Sequence, residues 1–178
     1  LKSLFEIRQR KLPLRVSTRP SGIDNTTHYS VTQILSLYRL SFAKIKQWGG
    51  TVQETPRPTS PERLSGILTG KINAIFDEGL HNWLDEALDE GFEVLPIEPK
   101  ILKQLSSLGY EPSVIPSTKF KQLKTDIDTI DFSGWPLITH RGFSNDLAYA
   151  ICEAIDARQG IISIDDESPL DMKKIARG

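Results

Sequence analysis

The chain has 178 residues, 38% of them hydrophobic and 25% charged, with 22 Lys and Arg against 23 Asp and Glu. Such a composition belongs to a folded globular chain long enough to bury a core without cross-links, and a net charge of −1 lacks the basic excess that a nucleic-acid partner demands. The lone cysteine, Cys152, excludes an internal disulfide and a cysteine metal cluster, and no apolar run approaches the roughly 20 residues of a membrane span, so no direct membrane insertion is expected.

Leu1, Leu4, Phe5 and Arg8 suggest a lead-in helix within residues 1–13, stopped by Pro13. Leu14 to Thr18 alternates as a half-buried strand, and Arg19 to Asn25 is a loop of turn formers. Asp24, Asn25, Thr26 and Thr27 are candidate caps of a helix whose apolar stripe holds Tyr29, Val31, Ile34, Leu35, Leu37 and Tyr38. Phe42 to Trp48 adds a helical turn or two closed by Gly49-Gly50, and Thr51 to Thr55 reads as a strand. Ser60-Pro61 opens the next helix, with Ser at the cap and Pro at the first helical position. Lys71 to Phe76 is the clearest buried strand, followed by the turn Asp77-Glu78-Gly79. Leu80 to Glu90 forms a helix with Trp83, Leu84, Ala87 and Leu88 inward, ended by Gly91. Phe92 to Ile97 reads as a further strand and Pro99 to Leu108 as a helix.

Beyond this point the pattern changes. Tyr110 to Phe120 and Asp128 to His140 read as extended, and Asn145 to Arg158 as a helix with Leu147, Ile151 and Ile155 on one face. A last helix is expected at Leu170 to Ala176. Strands alternating with helices define an α/β chain with a mixed, mainly parallel sheet flanked by helices, and a core containing Val16, Ile72, Ala74, Ile75, Phe76 and Val94. The division expected is a lead-in helix over 1–13, an α/β ligand-binding lobe over 14–125, and a return segment with C-terminal helices over 126–178. A start at Leu1 without an apolar signal region, and an end just after an expected helix, read as one piece of a longer protein.

His28, His81 and His140 lie far apart and match no metal-ligand spacing, so no metal and no cofactor are expected. No nucleophile elbow or phosphate-binding glycine loop occurs, and Cys152, inside an apolar helix, reads as a buried inert thiol. One pattern points to a site. In parallel α/β sheets ligands bind beyond the carboxyl ends of the strands, and two strands here end in polar loops. Ser17, Thr18, Arg19 and Ser21 lead to Thr26 and Thr27 at a helix start, a combination suited to a carboxylate or other small anion. Asp77 and Glu78 follow the second strand and suit an amine or hydroxyl. Read from propensity alone, these hydroxyls serve equally well as caps and turn formers, and the acids as helix caps. Both loops are expected at one edge of the sheet, with Arg19, Thr26 and Thr27 at the positive end, Asp77 and Glu78 beside them, and Trp83 turned to the core. The segments Tyr110 to Phe120 and Asp128 to His140 are expected to pack less completely than Ile72 to Phe76, with Trp135 left exposed or covered by another copy.

Several runs carry a resemblance. They are LRVSTRPSG from Leu14; Gly70-Lys71-Ile72-Asn73-Ala74-Ile75-Phe76, with Asn73 where Asp is usual; Phe92 to Ile97; Tyr110 with Val114-Ile115-Pro116 and Phe120; Asp126 to Thr139; and Asn145-Asp146-Leu147-Ala148-Tyr149. In this order and spacing, over about Leu14 to Ala157, the chain resembles the TAXI-type solute-binding receptors of TRAP transporters, as a divergent member carrying the second lobe. Trp48-Gly49-Gly50 and Phe76-Asp77-Glu78-Gly79 depart from the common receptor pattern. The resemblance implies a type II periplasmic-binding-protein lobe, a periplasmic or extracytoplasmic location, and capture of a small organic solute, a carboxylate in many relatives. It implies membrane permease subunits as partners and no catalysis. Two other readings stand beside it: an enzyme using Asp77, Glu78 and His81 as acid and base, and a ligand-sensing effector domain of a regulator.

Overall fold

Three short parallel strands organise the first part of the chain: β1 (Arg15–Thr18) lies between β2 (Thr51–Glu54) and β3 (Ala74–Phe76). The computed structural model describes residues 1–22, 26–132 and 139–158, and the chain divides into two units, Leu1–Phe132 and Ser133–Gly178. Around the sheet run α1 (Leu4–Arg10), α2 (Thr26–Leu37), α3 (Phe42–Gln47), α4 (Pro61–Leu68), α5 (Leu84–Asp89) and α6 (Pro99–Ser107). The architecture is α/β.

The strand pleat sorts side chains onto two faces. Val16, paired with Val52 and Ala74, packs with Phe76 against Ile7 of α1, Leu35 of α2, Ile45 of α3 and Ile101 and Leu105 of α6. On the opposite face Ile75 packs with Ile67 of α4, Trp83, and Leu84, Ala87 and Leu88 of α5. Both faces are thus covered, as a parallel sheet requires. Trp83 joins this second core, the direction its helical stripe favoured. The short α3 needs its cap: the Ser41 hydroxyl accepts from the Lys44 amide at 3.2 Å. At the other end Gly50 is forced by space rather than by turn angle, since a Cβ there would lie 2.4 Å from the Leu14 carbonyl oxygen.

β4 (Pro112–Ile115) and β5 (Ile127–Ile130) form a separate antiparallel pair. Their residues Ile115 and Ile127, with Phe120 between them, are buried in the α4–α5 core. The rest of Tyr110 to Phe120, and the described part of Asp128 to His140, is mostly exposed or half-buried, whereas in Ile72 to Phe76 only Asn73 is exposed, Ile72 is buried, and Ala74, Ile75 and Phe76 are half-buried on an edge strand, which is the order of packing expected. Phe92 to Ile97 forms no strand. Pro96 has no N–H to give a ladder, and the Ile97 N–H instead reaches Asp128 of β5 at 2.9 Å. Val94 accordingly packs at the margin of the second core. Ser60 precedes Pro61 as expected but does not cap α4; its hydroxyl turns back into the loop and donates to the Arg57 carbonyl at 2.7 Å.

In the second unit α7 (Asn145–Asp156) begins at Ser144, whose hydroxyl accepts from the Leu147 amide at 3.4 Å. None of its residues is buried, and Cys152 is exposed. The expected inert burial of that thiol is corrected here: an apolar neighbourhood along a helix does not bury a residue unless another element covers that face. Asp24 and Asn25, Trp135 and the expected helix Leu170 to Ala176 lie outside the described residues.

Candidate functional site

Because β1 and β3 are adjacent and parallel, the loop after Thr18 and the turn after Phe76 leave the same edge of the sheet. Side chains tie the two together. The Thr18 hydroxyl donates to the Phe76 carbonyl at 2.9 Å, and the Thr27 hydroxyl at the start of α2 donates to the Glu78 carboxylate. Glu78 also receives the Trp83 indole N–H on its carbonyl, at 2.9 Å.

Pleat alternation then decides which residues meet beneath this edge. Ser17, Ile75 and Asp77 share the face toward α4, and one inward residue of α4 is Arg63. Arg63 and Asp77 form an ion pair with side chains only 1% and 0% exposed. The guanidinium is fully engaged: its Nε donates to the Ser17 hydroxyl at 3.0 Å, Nη2 to the Thr55 hydroxyl at 2.7 Å and Nη1 to the Pro58 carbonyl at 3.3 Å. The Arg63 guanidinium also lies 5.9 Å from the centre of the Trp83 ring. Asp77 Oδ2 meets Arg63 Nη2 in the ion pair, while Oδ1 accepts the Glu78 amide at 2.8 Å. Burial pushes Asp77 up and Arg63 down from their ordinary values, each effect opposed by the partner's charge.

Arg19, one residue past β1, continues the Ser17 face. Its positive charge reaches both members of the pair, acting to lower each. Its Nε and Nη1 are buried, yet neither has a hydrogen-bond partner among the described residues. The Arg19 carbonyl lies 3.0 Å from Nδ1 of His28 on α2, which fixes the backbone there.

The eight expected site residues divide accordingly. Ser17, Thr18, Thr27 and Asp77 have side chains engaged inside the fold, and Asp77 presents no surface to a solute. Glu78 is partly buried, Ser21 is exposed and donates to Glu54 at 3.1 Å, and Thr26 is exposed at the first residue of α2. Arg19 alone among them is a half-buried cation with two buried donors, Nε and Nη1, that find no partner among the described residues. His81 is exposed and stacks on Phe120, with ring centres 6.5 Å apart.

Two depressions stand out, one of about 80 Å³ beside Arg63 and Trp83, the other of about 160 Å³ between Tyr29, Gln33, Leu108 and Tyr110. Both fall below the ~300 Å³ at which small-molecule pockets begin. Among the described residues no group of three His, Cys, Asp or Glu could hold a metal, and no helix is long and apolar enough to cross a membrane. The chain matches no family model, no curated protein and no solved structure.

Sequence reasoning missed Arg63 and Thr55. A signal for Arg63 was present: it falls at i, i+3 and i+4 with Gly66 and Ile67, the inward spacing of an amphipathic helix.

Proposed function

We propose that this chain is the ligand-binding lobe of an extracytoplasmic solute receptor serving a TRAP-type transporter, and that it captures a small organic carboxylate for delivery to membrane permease subunits. One observation carries the reading: at the carboxyl edge of a parallel sheet the half-buried Arg19 has two buried donors, Nε and Nη1, without a hydrogen-bond partner among the described residues. Buried donors without partners are costly, and a carboxylate is the natural acceptor for a guanidinium. The resemblance of the sequence to TAXI-type receptors supplies the wider frame, a type II lobe in which a second lobe closes over the ligand by a hinge. With its carboxylate sealed under Arg63, Asp77 also offers no general base, which favours binding over catalysis.

The test is a thermal-shift screen of small mono- and dicarboxylates on the full protein. A ligand at 100 times its dissociation constant stabilises the folded state by about 2.7 kcal/mol, well within detection. Stabilisation by at least one acid, lost in Arg19→Ala, is expected. Indifference to every acid, or a shift that survives Arg19→Ala, would remove the reading.

A further inference from the structure

Arg19 stands between a strand and a proline. Thr18 closes β1, paired with Phe76, and Pro20 holds the residue before it to extended backbone. Further along, Ser21 donates to the exposed Glu54, and Gly22 has nothing within 4 Å of its Cβ position. A half-buried contact from α2 holds the loop at its start. Nδ1 of His28 meets the Arg19 carbonyl at 3.0 Å; a carbonyl only accepts, so Nδ1 carries the proton and donates whichever charge the ring holds. The ring itself is braced: it packs on Phe42 with centres 5.6 Å apart, and Phe42 packs edge-on against Phe76 at 6.2 Å. A closed circuit results, from Phe76 across the sheet to Thr18, on to Arg19, from there to His28, and through Phe42 back to Phe76.

We propose that His28 is a positioning residue for Arg19: by anchoring the Arg19 carbonyl it fixes the backbone from which the guanidinium reaches its carboxylate ligand. This rests on the solute-binding reading above. A carboxylate that meets a held guanidinium need not first order the loop, and that saved ordering appears as affinity. His28 thus acts through the Arg19 backbone, and what matters is a donor at the position of Nδ1 rather than the ring or its charge.

The experiment is calorimetric titration of the full protein with the tightest binder among acetate, succinate and benzoate. His28→Phe keeps a ring against Phe42 and loses the donor; it should bind at least about fivefold more weakly than wild type. His28→Asn carries an amide N–H near the position of Nδ1 and should stay within about twofold of wild type, a rescue that a merely structural role of the ring would not give. His28→Gln carries its amide near the position of Nε2 instead and should be as weak as His28→Phe. Tyr38→Phe, just past the far end of α2, loses a buried hydrogen bond without touching the loop and should bind as wild type does. If His28→Phe fails to fold, the Asn and Gln variants still decide. Wild-type affinity in His28→Phe and His28→Gln, or an Asn variant as weak as the Gln variant, overturns the inference and leaves the receptor reading to its Arg19→Ala test. A loss in Tyr38→Phe equal to that in His28→Phe overturns it too, because stability would then be the cause. So does a wild type that binds none of the three acids, although another acid found in the stabilisation screen would keep the receptor reading standing.

Discussion

Asp77 feels the charge of two guanidiniums and is bound by one of them, Arg63, while the Nε and Nη1 of Arg19 find no hydrogen-bond partner among the described residues. The cause is local. Arg63 reaches the carboxylate from α4 through Nη2, which also donates to Thr55, with its Nε and Nη1 already held by Ser17 and Pro58, so pairing costs it little further ordering. The pair also joins α4 to the end of β3, which makes it a structural clamp as well as an electrostatic one.

Replacing Arg63 with Met should therefore be strongly destabilising. It leaves a buried carboxylate without a counter-charge, at a cost of about 3–5 kcal/mol. Removing both charges in R63M/D77N should restore most of that loss. Urea unfolding followed by far-UV circular dichroism measures both, and a double variant no more stable than the single one would show that the ion pair is not what holds α4 in place.

At Gly50 the expected fault is steric. A Cβ would stand 2.4 Å from the Leu14 carbonyl oxygen and 2.9 Å from that of Ile45, both backbone atoms that cannot swing aside. Gly50→Ala should lose about 1–3 kcal/mol. Gly22→Ala, where nothing lies within 4 Å, should stay within about 0.5 kcal/mol of wild type. Equal melting temperatures for the two variants would contradict this account of the α3–β2 junction.

Tyr38 gives the chain a pH dependence at the alkaline end. The side chain is fully buried, and its hydroxyl donates to Glu98, which also receives the Ser3 hydroxyl and precedes α6. Burial, reinforced by the Glu98 carboxylate, pushes the phenol above its ordinary value of 10. With the folded value raised, the stability it contributes is fully present below pH 10 and is lost as the pH climbs beyond. Tyr38→Phe should cost about 1–2 kcal/mol at neutral pH through the lost hydrogen bond, and should flatten the decline in stability above pH 10. Melting curves taken from pH 7 to pH 11 check this; parallel declines in the two proteins would exclude Tyr38 as the source.

Much of this fold could be read from residue order alone. The α/β alternation, the strand at Leu14 to Thr18, Pro61 opening α4 and the inward stripe of α5 all follow from local rules, and the pairing of the two polar loops follows from parallel β1 and β3. Phe92 to Ile97 was misleading because its apolar run resembles a strand, while what it does depends on a distant partner in β5 and on the missing amide of Pro96. Asp77 was expected to face a solute. Only the fold shows that an arginine 14 positions earlier reaches it, since long-range charge pairing leaves no periodic trace and a charged helix residue ordinarily reads as solvated.

Arg19 is the residue on which the functional account depends. In the full protein, Arg19→Ala should weaken a bound carboxylate by about 1.5–3 kcal/mol, the range of a hydrogen bond to a charged group. The most direct measurement follows the Arg19 Nε–H signal in proton–nitrogen spectra, assigned through the Arg19→Lys variant, while a carboxylate that stabilises the protein is titrated in. The account predicts a saturable shift of that signal with the same dissociation constant that calorimetry reports, and little movement of the Arg63 Nε–H held by Ser17. An Arg19 signal that stays in place while the acid binds would contradict it.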